Sequence, residues 1–148
     1  MEKEPLHILF ADDDKSDRLL FTEAFAELKI KNIVHTVNDG VQLMEWLFKE
    51  SNRLPDLIFL DLNMPRKNGL ECLKEIKNNE KLKDISVAIY STSDNKKDIE
   101  ETFHHRANIY ISKPSSFNTL KKVLEKAVTL AYQYENNSFK KQNFLLKI

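Results

Sequence analysis

Short apolar runs alternate along this chain with longer segments whose apolar residues recur every third or fourth position. Leu6-His7-Ile8-Leu9-Phe10-Ala11 is the first such run and reads as a buried strand. Phe21, Ala24, Phe25 and Leu28 then fall at helical spacing, which predicts a helix over roughly 15–29. Asp14 stands where that helix needs an N-cap, and Asp17 adds negative charge at its positive end. Lys31 to Val37, with Ile33, Val34 and Val37, predicts a second strand, and Asn38-Asp39-Gly40 a turn. Val41, Met44, Leu47 and Phe48 form the next helical stripe. Leu54-Pro55-Asp56 ends it and launches a third strand, Leu57 to Leu60.

Met64-Pro65-Arg66-Lys67-Asn68-Gly69 reads as a loop, and Leu70, Leu73 and Ile76 mark the helix after it. Ile85 to Tyr90 is nearly all apolar, as a strand covered on both faces must be. Asp94 to Arg106 is helical but weakly amphipathic, with Ile99 and Phe103 as its core positions. Asn108 to Ser112 is a fifth strand, broken by Lys113-Pro114. Phe117, Leu120, Leu124, Ala127, Val128 and Ala131 then give the strongest helical stripe in the chain. Strand followed by helix, repeated in this way, predicts an α/β fold: a doubly wound (βα)5 sheet of parallel strands with helices on both faces. Residues 135–148 lie beyond the last repeat and carry Phe139, Phe144, Leu145, Leu146 and Ile148.

The carboxyl ends of parallel strands converge on one crevice, the usual ligand position in such a sheet. Asp12 and Asp13 end the first strand, Asp61 ends the third, Ser91-Thr92-Ser93 follows the fourth and Lys113 follows the fifth. Either acidic position alone would read equally well as a solvated strand end. Three carboxylates, a hydroxyl and a lysine at one edge are a different matter. The acids repel one another strongly, so the group makes sense around a cation held by oxygen ligands. That is the chemistry of Mg2+-assisted phosphoryl transfer.

Composition narrows the alternatives. Lys+Arg and Asp+Glu each number 23, and this balance argues against a nucleic-acid footprint. No apolar stretch approaches the roughly 20 residues of a membrane span. The start, Met1-Glu2-Lys3-Glu4-Pro5, is charged and lacks the apolar core of a signal peptide. Cys72 is the only cysteine, which excludes an internal disulfide and fits a reducing cytoplasm. On its helix it reads as a core residue rather than a reactive thiol. His7, His35, His104 and His105 have no metal-ligand spacing, and His104-His105 reads as solvated. With Gly40 and Gly69 its only glycines, the chain can write neither a dinucleotide fingerprint nor a P-loop. Trp46 and the phenylalanines follow core patterns and need no cofactor.

Over about residues 6–134 the chain resembles the receiver domain of two-component response regulators. The resemblance is carried by Asp12-Asp13, by Asp61-Leu62-Asn63-Met64-Pro65-Arg66-Lys67-Asn68-Gly69, by Ser91-Thr92 and by Tyr110-Ile111-Ser112-Lys113-Pro114. The Asp-Leu-Asn-Met-Pro loop and the Asn79-Glu80-Lys81-Leu82-Lys83-Asp84-Ile85 stretch look most like stand-alone receivers associated with phytochrome-type kinases.

The resemblance implies a flavodoxin-like fold and a role for each matching residue. Asp61 would accept phosphate from a phosphohistidine. Asp13 would ligate Mg2+ directly, Asp12 would hold a metal-bound water or an outer contact, and the backbone carbonyl of Asn63 would be a further ligand. Lys113 and Ser91 would each contact a phosphoryl oxygen. Tyr110 would act as an aromatic switch, turning from exposed to buried as Ser91 is drawn toward the phosphoryl group. Ser91 stands where threonine is commonest, and Asn68 where aspartate is common. Residues 1–134 would be the receiver and 135–148 an extension without a separate effector domain.

Such a protein is expected to be a cytoplasmic signalling protein and not an enzyme. Its partner would be a histidine kinase or a histidine phosphotransfer protein. Any homodimer is expected on the face made by the fourth helix, fifth strand and last helix. A phosphorylation-independent adaptor is the rival reading. A phosphatase using an aspartyl phosphate fits less well, because it needs a second acid two residues after the nucleophile, where Asn63 stands.

Overall fold

The computed structural model describes residues 4–134 and the pair 145–146, and side chains up to residue 131. The elements are β1 (Leu6–Ala11), α1 (Lys15–Ala26), β2 (Asn32–Val37), α2 (Gly40–Phe48), β3 (Leu57–Leu60) and α3 (Gly69–Lys77). They continue as β4 (Ser86–Ser91), α4 (Lys96–His104), β5 (Ile109–Ser112), α5 (Phe117–Tyr134) and β6 (Leu145–Leu146). All the strand pairs are parallel, in the order β2-β1-β3-β4-β5-β6. The doubly wound five-strand core is as expected. The sixth strand is an addition: Leu145 and Leu146 pair alongside Tyr110 and Ile111 on the outer edge of β5.

Alternation along the strands divides the core. Leu9, Ala11, Ile58, Leu60, Val87 and Ile89 face α2, α3 and α4. Ile8, Phe10, Leu57, Phe59, Ala88 and Tyr90 face α1 and α5. The second layer is strongly aromatic. Phe21 stacks on Phe10 at 4.0 Å between ring centres and meets Phe59 and Tyr90 edge-on. Such contacts add about 0.5–1.5 kcal/mol per pair beyond burial.

Each of the first four helices opens on a side-chain cap that accepts a backbone N–H three residues on: Asp14 from Asp17, Asp39 from Gln42, Asn68 from Glu71, and Asn95 from Asp98. Asn38-Asp39-Gly40 is therefore less a free turn than the start of α2. Asn68 and Glu71 complete a capping box. On α2 the buried face is Gly40, Leu43, Met44 and Leu47, while Phe48 lies exposed at 42 %. The spacing read Phe48 as inward. The helix instead turns Leu43 to the sheet and leaves Phe48 facing outward as its last residue.

Of the first four helices, α4 buries the fewest residues. Thr102 is its one fully buried residue, and Ile99 and Phe103 are only partly buried. A cavity of about 160 Å³ separates Asp98, Glu101 and Thr102 from Leu62, Asn63, Asn68 and Leu70. At the opposite end of the sheet, Lys77 is buried, and its ammonium donates to the Lys83 and Ile85 carbonyls and to Asn108 Oδ1. Burial, reinforced by the Arg106 charge, pushes its pKa down to about 8. Among the described residues no helix is long and apolar enough to cross a membrane.

Candidate functional site

Backbone register brings the sequence-predicted residues together. Asp61 N–H donates to the Ala11 carbonyl, and Lys113 N–H to the Ser91 carbonyl, so each residue that leaves a strand is tied to the neighbouring strand's end. Carboxylate oxygens of Asp12, Asp13 and Asp61 lie within 4.8 Å of one another. Asp12 and Asp61 are buried, whereas Asp13 faces solvent.

One local contact orients the Asp12 carboxylate and a second holds its backbone. Its Oδ1 accepts the Asp14 N–H at 2.9 Å, while Arg18 holds the Asp12 carbonyl at 2.7 Å. Its Oδ2 lies 2.8 Å from Lys113 Nζ, but the contact is an ion pair without hydrogen-bond alignment. A buried carboxylate oxygen with no aligned donor, beside two more carboxylates, suits a hard divalent cation. Asp12, Asp13 and Asp61 are the side chains that could hold one.

Lys113 Nζ also lies 2.8 Å from Asp17 Oδ2 and 3.8 Å from Asp61 Oδ2. Its ammonium sits 5.5 Å above the centre of the Tyr90 ring. Burial disfavours the charge on Lys113, but the contacts with Asp12 and Asp17 outweigh it and raise its pKa. Asp61 goes the other way from an ordinary carboxylate. Burial first, and then the Asp12 charge, push its pKa up to about 7, against the opposing pull of Lys113. Asp12 is likewise raised by burial. A metal-free site thus resists holding its full negative charge.

Ser91, the last residue of β4, is fully buried, and its hydroxyl oxygen accepts the Ser93 N–H at 3.1 Å. Asn63 is exposed and directs its N–H toward Asp61 Oδ1 at 3.4 Å. Tyr110 departs from expectation. It is wholly buried, with its hydroxyl donating to the Ser93 carbonyl. The ring has this inward place because Ser93 satisfies the hydroxyl while the α2-α3-α4 side of the core takes the rest.

The loop after β3 is braced from both sides. Arg66 adopts a left-handed backbone (φ 65°), uncommon for a bulky residue. Its guanidinium forks onto Asp39 at 3.0 and 3.2 Å. Lys67 pairs with Glu75. At Gly69 an added Cβ would fall 2.2 Å from the Asp61 carbonyl oxygen, so only glycine allows this approach.

Sequence reasoning missed Asp17 as a site residue. Its position in the first turn of α1 accounts for it without any partner, and Lys113 is 96 residues away. It also missed the Arg66–Asp39 fork, for which no local pattern exists. Cys72 is buried as expected, and burial raises its thiol to about 12. His104 is exposed, and among the described residues the only group of three or more metal-ligating side chains is the aspartate trio.

Comparison with known proteins agrees with this geometry. The family model described as the response regulator receiver domain matches residues 8–125. Response regulator Rcp1 of Synechocystis sp. is 34% identical over 125 residues, which cover 82% of this chain and 85% of that protein. The crystal structure of the Mn(2+)-bound form of Rcp1 superposes with a TM-score of 0.78 and 31% identity, over 92% of this chain and 99% of that one. The phosphorylated cyanobacterial phytochrome response regulator RcpA gives a TM-score of 0.80 and 35% identity, over 88% of this chain and 96% of that one. With the flavodoxin-like sheet and the acidic crevice in place, the chain belongs to the response regulator receiver domain family.

Proposed function

We propose that this protein accepts a phosphoryl group on Asp61 from the phosphohistidine of a histidine kinase or histidine phosphotransfer protein, in a Mg2+-dependent reaction. The observation that carries this reading is the gathering of Asp12, Asp13 and Asp61 within 4.8 Å, with one ammonium, Lys113, beside them. In the transfer an Asp61 carboxylate oxygen forms the new P–O bond while the P–N bond breaks. The electron pair of that bond returns to the imidazole, which takes up a proton.

A divalent cation, when bound, would offset negative charge on the transferring group, where positioning and electrostatics carry most of the catalysis. Asp13 and Asp61, with the Asn63 carbonyl, would ligate it, and Asp12 would hold a metal-bound water or make an outer contact. Lys113 neutralises one phosphoryl oxygen, and Ser91 donates to another. The protein assists its own phosphorylation and dephosphorylation but acts as a signalling component rather than an enzyme with a separate substrate.

Its readout is a change of surface through Ser91 and Tyr110. Residues 1–134 form the receiver and 135–148 an extension, and a homodimer would use the α4-β5-α5 face, to which β6 of the extension adds the outer edge. A phytochrome-type kinase is the partner best supported, since Rcp1 and RcpA are both relatives and the latter is a phytochrome response regulator. Its setting is the cytoplasm. Incubation with acetyl phosphate and Mg2+ tests the assignment. Wild type should incorporate one acid-stable, alkali-labile phosphate, and Asp61→Asn none. Incorporation by that variant at the wild-type level removes Asp61 as the acceptor.

A further inference from the structure

We infer that Asp17 is a positioning residue that competes with the phosphorylated site for the Lys113 ammonium and so sets how readily the site holds a phosphoryl group. This rests on Asp61 being the phosphoacceptor. Lys113 Nζ donates an aligned hydrogen bond to Asp17 Oδ2 at 2.8 Å. Its contact with Asp12 at 2.8 Å lacks that alignment, and Asp61, at 3.8 Å, lies beyond hydrogen-bond reach. The aligned hydrogen bond of the site's lysine therefore goes to a residue outside the acid trio, while an equally short ion pair stays within it.

Asp17 is well placed to give that bond up. It sits in the first turn of α1, fixed through its own N–H by the Asp14 cap, and its side chain is 33% exposed. Once released, its carboxylate can be taken up by water, whereas the buried Asp12 has no such option.

Charge counting gives the direction. Asp12, Asp13, Asp17 and Asp61 carry four negative charges when ionised, and Lys113 carries one positive. A divalent cation leaves the group with one negative charge in excess, before any phosphoryl group enters. Without Asp17 the sum is zero. Asp17 thus opposes an incoming phosphoryl group twice, by holding the ammonium and by repelling the anion. For the cation alone its effect is the reverse, because it adds attraction. Loss of the Asp17 charge should therefore strengthen anion binding and weaken cation binding. A residue that only supported the fold would move both the same way.

The experiment uses the full chain, with Mg2+ and with fluoroberyllate as a phosphoryl mimic, followed by NMR shifts of the Ser91 and Tyr110 amides. Asp17→Asn should bind fluoroberyllate, at saturating Mg2+, about threefold more tightly than wild type, and Mg2+ alone about twofold more weakly, as suits one part-exposed charge. Asp17→Glu, which keeps the charge, should restore the wild-type pattern. Thermal unfolding identifies properly folded variants, and Asp17→Ser replaces Asp17→Asn if the latter unfolds. Unchanged or weaker fluoroberyllate binding by a folded, uncharged variant overturns the competition. Wild type that binds no fluoroberyllate and takes up no phosphate overturns the phosphoacceptor reading and this inference together.

Discussion

The Tyr110 hydroxyl donates to the backbone carbonyl of Ser93 at 2.7 Å. Ser93 in turn donates its N–H to the Ser91 hydroxyl and its own hydroxyl to Asp98 of α4. One residue thus joins the end of β4, the side chain expected to report phosphorylation, and α4. Any movement of Ser91 toward Asp61 passes through Ser93 to both.

Ser91→Ala should therefore still accept phosphate but transmit it poorly, whereas Lys113→Ala should impair both steps. Because Tyr110 is already inward, the change expected at its ring is a repacking with Ser93, a bias between two states of one surface. NMR shifts around Tyr110 in phosphorylated wild type and Ser91→Ala provide the comparison. Equal displacement in the two would remove the link.

Asp61 should make the metal-free protein sensitive to pH. Burial and Asp12 raise its native pKa from 3.8 to about 7, so the folded state holds the proton more tightly than the unfolded chain. Its contribution to stability is fully present below the lower value and is lost as pH rises through the higher one. At pH about 8 with a chelator, Asp61→Asn should be more stable than wild type by on the order of 2 kcal/mol, and the advantage should vanish near pH about 4. Mg2+ should stabilise wild type more than the variant. Denaturant melts across pH give the answer, and a gap independent of pH would contradict it.

Gly69→Ala should damage the site through the backbone. The added Cβ would meet the Asp61 carbonyl oxygen at 2.2 Å and Leu62 Cα at 2.8 Å, and neither can rotate away. A stability loss of about 1–3 kcal/mol is expected from overpacking. Phosphorylation by acetyl phosphate should also slow, since Asp61 itself must shift. Wild-type behaviour in both assays would mean that the loop has slack.

Lys77→Met should destabilise the fold by about 1–3 kcal/mol, because the Lys83 and Ile85 carbonyls lose their donor. The deficit should depend on pH. The native pKa of Lys77 is lowered from 10.5 to about 8, so the wild type gains on the variant as pH rises across that window. Parallel pH–stability curves for the two proteins would rule this out.

The strand ends were legible because parallel strands buried on both faces must be apolar throughout, and Asp12, Asp61 and Lys113 stand where that rule stops. What depended on distant partners was not legible. A lysine on α3 reads as solvated until residues 83, 85 and 108 are folded around it. Asp17 reads as a helix-end charge until β5 brings Lys113 to it. Leu43 and Phe48 exchanged places on α2 because the stripe fitted either phase. The apolar character of the tail is plain in the sequence, but a two-residue strand has no period to reveal its pairing beside Tyr110 and Ile111. Phe139, Phe144 and Ile148 fall outside the described residues.

The buried ammonium of Lys77 has a mechanical consequence. It binds the approach to β4 to Asn108 at the start of β5, and Asn108 is itself bonded to Val87 through both its N–H and its side-chain oxygen. Arg106 adds a bond to the Lys77 carbonyl at 2.6 Å. The far ends of these two strands are therefore clamped, while the ends carrying Ser91 and Lys113 border the crevice. A push at Ser91 acts on a cantilever with a fixed root. Movement is therefore expected at the strand tips rather than as sliding of one strand past the other, and the first turn of α4, held to Ser93 through Asp98, is the part placed to follow it.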